Sequence, residues 1–137
     1  HASQFLSPDI IVDIATLTGA QMVSTGRKHA GIMSTTERLE VATVAAGRLS
    51  GDLAHPLLYC PEFYRKEFHS AVADMKNSVK DRMNAQSSCA GTFIGEHIAA
   101  DYEGEWVHVD MAGPSTKDER GTGYGVGLLL GLASVLE

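Results

Sequence analysis

Short apolar runs alternate along the chain with longer stretches of helical periodicity. The run Asp9–Ala15 (DIIVDIA) is β-branched and almost uninterrupted, which is typical of a strand buried in a parallel sheet. His29–Ser34 predicts a second short strand, and Trp106–Met111 predicts a third in which apolar and polar residues alternate. These segments predict a sheet with at least three strands.

Helices are predicted between and after these strands. Thr18 can cap a short helix whose first turn contains Gly19. Glu37–Leu49 carries apolar residues at helical spacing and is followed by Gly51, a residue that commonly ends helices. The other predicted helices are Glu62–His69, Ser87–Ala100 and the almost wholly apolar Val126–Leu136, which we expect to be buried on most sides. Two polar stretches without a period, Asp74–Gln86 and Gly113–Gly123, predict loops.

The order of these elements predicts an α/β fold with a mixed, largely parallel sheet flanked by helices. Three strands are few for a sheet that is covered on both faces. We therefore expect residues 1–137 to form part of a larger layered structure. The chain starts at His1 rather than Met, which suggests a fragment or a processed piece.

Charge, hydropathy and cysteine content disfavour two classes of partner and indicate a cellular compartment. The net charge of -6 disfavours nucleic-acid binding, because an acidic surface repels phosphate. The most apolar run, Val126–Leu136, is too short to span a membrane, so no membrane partner is expected. Cys60 and Cys89 form no CxxC pattern and no disulfide framework, which favours a reducing compartment such as the cytoplasm.

Two loops are candidate ligand sites, because open α/β sheets bind ligands beyond the carboxyl ends of their strands. The first is Thr16–Ala20 (TLTGA), where a helix start leaves backbone groups free to meet a ligand. An ordinary strand-to-helix cap would give the same pattern. The second is Ala112–Ser115, which follows the strand that carries His108 and Asp110.

His108 and Asp110 are two positions apart and therefore share one face of their strand. They can be two metal ligands, half of a catalytic triad or a buried hydrogen-bonded pair, and their spacing alone favours the pair. With Cys89 they also suggest a cysteine nucleophile. A small buried thiol in the first turn of a helix is the favoured interpretation of Cys89.

Five segments, in this order, resemble the leucyl (cytosol) aminopeptidase family of dinuclear metallo-exopeptidases. They are Asp13–Ala20 (DIATLTGA), Ala73–Asn77 (ADMKN), Ser88–Gly91 (SCAG), Trp106–Gly113 (WVHVDMAG) and Thr122–Val126 (TGYGV). The first and fourth are specific, and the others add support through order and spacing. Gly51–Leu57, together with Ala71–Val79, is most similar to the animal branch of probable aminopeptidase-like proteins.

The resemblance implies that residues 1–137 are the C-terminal portion of an aminopeptidase catalytic domain. In that family two divalent metal ions, zinc or manganese, bridge a water that attacks the carbonyl of an N-terminal residue. The metal ligands are carboxylates and a lysine on segments that precede the residues matched here. No metal ligand and no catalytic residue is therefore expected within this chain.

The resemblance also implies which residues form the second wall of the cleft. Leu17 would offer its backbone carbonyl to the substrate or the attacking water, and Thr16, Gly19 and Ala112 would line the pocket for the first side chain. Pro114-Ser115 stands where the family often has a methionine, so a preference for leucine is open.

Peptide substrates, a cytoplasmic location and a homo-oligomer, expected to be a hexamer, follow from the same resemblance. Two alternatives are a non-catalytic homologue with a role in assembly or regulation, and a cysteine hydrolase built on Cys89, His108 and Asp110.

Overall fold

The computed structural model describes all residues from His1 to Glu137. Four strands form one sheet in the order β1-β4-β2-β3, and two short strands form a separate hairpin. The strands are β1 (Ile10–Ala15), β2 (Ala30–Ser34), β3 (Ala54–Pro56), β4 (Glu105–Asp110), β5 (Thr116–Lys117) and β6 (Arg120–Gly121). β1 pairs with β4 and β2 with β3 in parallel, whereas β2 and β4 are antiparallel. The predicted α/β class and the mixed, largely parallel sheet are confirmed.

The chain contains five α-helices. They are α1 (Gly19–Thr25), α2 (Glu37–Ser50), α3 (Pro61–Tyr64), α4 (Gln86–Gly95) and α5 (Val126–Leu136), with a π-helical turn at Ala2–Leu6 and a 3-10 turn at Arg65–Phe68. As predicted, Thr18 caps α1, and its hydroxyl accepts a hydrogen bond from the Gln21 amide at 3.1 Å. Gly51 ends α2 in a left-handed conformation (φ 86°), which glycine adopts readily.

Three local predictions were wrong. The strand β3 was missed, because three residues that include Pro56 carry little strand signal, and proline is tolerated here only because β3 lies at the edge of the sheet. The hairpin of β5 and β6 lies within a stretch predicted to be a loop. α4 begins at Gln86 and ends at Gly95 rather than Ala100. Its N-cap is Ala85 and not a serine, so Ser87 lies inside the first turn, where it is buried.

The hydrophobic core lies between the sheet and the helix pair α2 and α5. Its members include Val107 and Val109 of β4, Leu39 and Ala46 of α2, and Leu128 and Leu132 of α5. The two helices approach closely at Gly131, where a Cβ atom would lie 3.0 Å from the carbonyl oxygen of Ala46.

α5 is buried on one face only, in contrast to the prediction. Val126 is 65% exposed and Leu130 is 68% exposed, because α2 is the main element of this chain that packs against α5. No helix has both the length and the apolar character needed to cross a bilayer.

The opposite face of the sheet is polar as well as buried. Trp106, His108 and Asp110 alternate along β4 with the two core valines and are at most 1% exposed. α1 and α4 cover this face. The polar side chains of the sheet are therefore concentrated beneath these two helices.

Candidate functional site at the carboxyl edge of β1 and β4

The two candidate loops leave the sheet side by side. β1 and β4 are parallel, and Ala15 at the end of β1 lies opposite Asp110 at the end of β4. The Met111 amide donates a hydrogen bond to the Ala15 carbonyl at 2.8 Å. Thr16–Ala20 and Ala112–Ser115 thus start from neighbouring positions, although they are far apart in the sequence.

The fully buried side chain of Asp110 joins the two loops. Its Oδ1 atom accepts hydrogen bonds from the amides of Leu17 at 3.0 Å and Ala112 at 3.2 Å. Its Oδ2 atom accepts from the amide of Thr18 at 3.1 Å and from the Thr18 hydroxyl at 2.8 Å. Hydrogen bonds to a carboxylate are stronger than those between neutral groups, so this one side chain fixes both loops.

The Thr18 hydroxyl extends this network to α4. Its only proton goes to Asp110, while its oxygen accepts from the Gln21 amide. Its 2.9 Å contact with the Ser87 hydroxyl therefore has Ser87 as the donor, because a hydroxyl has one proton to give. Three elements, the end of β4, the start of α1 and the first turn of α4, meet at Thr18.

A second polar side chain, Gln21, was not singled out from the sequence. It is fully buried, and its Nε2 atom donates to the carbonyls of His29 at 2.7 Å and Gly26 at 3.1 Å. Its Oε1 atom accepts from the Gly113 amide at 2.6 Å. A Cβ atom on Gly113 would lie 2.3 Å from the Gly26 carbonyl oxygen, so this close approach requires glycine. α1 has only seven residues, too few for a pattern that would have identified Gln21.

The residues predicted to contact substrate lie at the surface of this edge. Thr16 and Gly19 are exposed, and Leu17 and Ala112 are half-buried. Asp110 brings Leu17 and Ala112 together. No atom lies within 4 Å of the position that a Cβ on Gly19 would occupy, so there is open space beside it. Contact of these four residues with a substrate stays a prediction.

A cavity of about 520 Å³ adjoins the first loop on the side of α4. Its lining is largely apolar, with Leu17 and Thr18 on one side and Cys89 and Phe93 of α4 on another. Thr16, Gly19 and Ala112 do not line this cavity.

The arrangement that a cysteine hydrolase needs is absent. The ring of His108 contacts Asp13 rather than Asp110. Cys89 is 1% exposed, and its thiol lies 3.8 Å from the Asn84 carbonyl oxygen. Burial raises the pKa of the Cys89 thiol above its usual value, whereas a nucleophilic cysteine requires a lowered one.

The side chains present do not fit a metal centre. No group of three or more His, Cys, Asp or Glu residues in residues 1–137 is placed to hold a metal ion. The two carboxylates beneath α1 and α4 also have other partners, since Asp110 binds backbone amides and Asp13 binds the rings of Trp106 and His108.

Comparison with known proteins gives the family. The family model described as "Cytosol aminopeptidase family, catalytic domain" matches residues 1–130. The chain belongs to the cytosol aminopeptidase family. It is 58% identical over 132 residues to "Probable aminopeptidase NPEPL1" of Mus musculus, covering 96% of this chain and 25% of that protein. It is 43% identical over 129 residues to "Leucine aminopeptidase 1" of Caenorhabditis elegans, covering 93% of this chain and 26% of that protein.

Solved structures of cytosol aminopeptidases have the same fold. The leucyl aminopeptidase of Trypanosoma brucei in complex with bestatin superposes with a TM-score of 0.91 at 46% identity, over 96% of this chain and 26% of that one. The leucine aminopeptidase of C. elegans gives a TM-score of 0.89 at 40% identity, over 98% of this chain and 28% of that one. The chain thus spans about a quarter of the length of these relatives. The predicted family, and its similarity to the animal branch, are confirmed.

Proposed function

We propose that residues 1–137 form the C-terminal portion of the catalytic domain of a metal-dependent aminopeptidase that releases N-terminal amino acids from peptides. The chain supplies one wall of the substrate cleft. Two divalent ions, zinc or manganese, are held by residues of the whole protein outside this chain. The whole protein acts in the cytoplasm as a homo-oligomer, with a hexamer as the expected assembly.

One observation carries the proposal. The backbone carbonyl oxygen of Leu17 accepts no hydrogen bond within the chain, although the amides of Leu17 and Thr18 on either side are both bonded to Asp110. A free carbonyl at the edge of a sheet is a ready acceptor for a substrate group. This supports the proposed role of Leu17 as an acceptor for the substrate or the attacking water.

The other three predicted site residues would form the pocket for the first side chain of the substrate. Thr16, Gly19 and Ala112 lie on the two loops at the same edge of the sheet as Leu17. All three are exposed or half-buried, which leaves them accessible to a peptide. In this proposal they contact the first side chain of the substrate. Bestatin in the T. brucei relative supports an aminopeptidase role for this fold.

The full-length protein tests the proposal. We expect it to hydrolyse p-nitroanilides of single amino acids, to lose this activity with a chelator, and to regain it with zinc or manganese. An N-acetylated p-nitroanilide is the matched control, because it lacks the free amine and should not be cleaved. A metal-loaded protein that cleaves no member of a panel of such substrates would instead be the non-catalytic homologue.

A further inference from the structure

The Leu17 carbonyl is held in one direction by a chain of contacts that starts at Asp110. A trans peptide is planar, so its N–H and C=O bonds point in opposite directions. The peptide that links Leu17 to Thr18 donates its N–H to Asp110, at 3.1 Å from Oδ2. Its carbonyl, which belongs to Leu17, must therefore point away from the buried carboxylate and out of the sheet.

From this geometry we infer that Asp110 is a positioning residue that directs the Leu17 carbonyl into the cleft. The inference rests on the proposed function. Asp110 touches no substrate in this role. It acts through the Leu17–Thr18 peptide, and its bond to the Ala112 amide sets the spacing between the two loops at the same time.

The Thr18 hydroxyl is the second support of the same peptide. It binds Asp110 at 2.8 Å and Ser87 at 2.9 Å, so it prevents the loop from rotating away from the carboxylate. Serine at this position keeps the hydroxyl, whereas valine keeps the shape and removes it. Thr18→Ser and Thr18→Val therefore form a matched pair that isolates the hydrogen bonds.

Asp13 provides the control for a purely structural role. It is a carboxylate on the same face of the sheet, and it bonds to the rings of His108 and Trp106 without touching either loop. Asp13→Asn should destabilise the protein in the same way that Asp110→Asn does. It should leave the Leu17 carbonyl in place.

The test measures kcat and KM of the metal-loaded full-length protein with leucine p-nitroanilide, together with Tm and bound metal. A misplacement of about 1 Å at a reacting group costs roughly 100-fold. We therefore expect Asp110→Asn and Thr18→Val to lower kcat by about 10- to 100-fold with metal content unchanged. Thr18→Ser should restore most of the loss, and Asp13→Asn should lower Tm without this fall in kcat.

Three results would overturn the inference, and they are distinguishable. If the wild-type protein is active and Asp110→Asn and Thr18→Val behave like Asp13→Asn, the carboxylate is structural only. A fall in kcat that Thr18→Ser does not rescue leads to the same conclusion for Thr18. If the metal-loaded wild type cleaves no substrate, the proposed function fails as well, because no reaction remains for Asp110 to support.

Discussion

The Nδ1 atom of His108 lies 2.5 Å from the Oδ1 atom of Asp13 on the neighbouring parallel strand. The other carboxylate oxygen of Asp13 accepts a hydrogen bond from the Trp106 indole at 2.6 Å. One side chain of β1 therefore bonds to two buried rings of β4, although the Nε2 atom of His108 has no hydrogen-bond partner in the chain. Because His108 pairs across the sheet, Asp110 two residues later is left for the backbone amides of the two loops.

Asp13→Ala should destabilise the protein strongly. It leaves the His108 ring and the Trp106 indole without their partner in a buried site, and each unsatisfied group costs about 1–3 kcal/mol. We expect the free energy of unfolding of the full-length protein to fall by about 2–5 kcal/mol, measured by urea denaturation. Asp9→Ala, at an exposed position just before β1, is the control and should be close to neutral. An unchanged urea midpoint for Asp13→Ala would contradict this account of the pair.

Cys89 should be dispensable for catalysis. Its buried thiol has a raised pKa, so Cys89→Ala and Cys89→Ser should keep the peptidase activity of the full-length protein within a few-fold. Iodoacetamide should modify the half-buried Cys60 faster than Cys89 in the native state. A loss of about 10⁴-fold in both variants without unfolding would identify a nucleophile instead.

The sequence predicted the elements with strong local signals. Asp9–Ala15 and Glu37–Leu49 carry long apolar patterns, and Thr18 and Gly51 have the cap chemistry that their positions require. β3 was not predicted because its three residues are held by pairing with β2, and a pairing between segments far apart in the sequence leaves no local pattern. The end of α4 was predicted too late because the stop signal of Gly95 was overlooked beside the apolar residues that continue to Ala100.

The hydrogen-bond partners of the two candidate loops were harder to predict than their placement. Both loops follow the carboxyl ends of the parallel strands β1 and β4, as expected, and their contact with a substrate stays a prediction. The register of β1 against β4 decides these partners. It places Asp110 beside the amides of Leu17 and Thr18, and His108 beside Asp13. A shift of one residue would reverse the faces, and register is a property of the folded sheet.

The 137-residue chain alone should bind no catalytic metal. Such metals need several converging ligands, and no group of this kind occurs in the chain. The purified chain should contain no stoichiometric zinc or manganese by elemental analysis and should not cleave an aminoacyl anilide. The full-length protein, prepared in the same way, is the control. One or two tightly bound metal ions per chain would contradict the proposal that the metal ligands lie outside residues 1–137.

Gly19→Leu should change the choice of substrate in the full-length protein. Gly19 has no positive φ, and a Cβ placed on it would meet no atom within 4 Å, so the chain itself tolerates a side chain there. If Gly19 faces the first substrate side chain, leucine would fill that space while the metal ions stay in place. Cleavage after N-terminal leucine or phenylalanine should fall steeply, and alanine should suffer less. A methylene in an apolar pocket is worth about 1–3 kcal/mol, or roughly 10- to 200-fold in kcat/KM.

The decisive measurement is the ratio of kcat/KM for alanine and leucine p-nitroanilides in the wild type and in Gly19→Leu, with a thermal melt of each. Val23→Leu is the matched control, because Val23 lies one turn further along α1 and is 89% exposed. Because the space at Gly19 is open, we expect Gly19→Leu to keep the Tm of the wild type. With an unchanged Tm, an equal fall in activity for both substrates would not be a result of misfolding. An unchanged alanine-to-leucine ratio would remove Gly19 from the pocket. It would also weaken the assignment of Thr16 and Ala112, which rests on the same edge of the sheet.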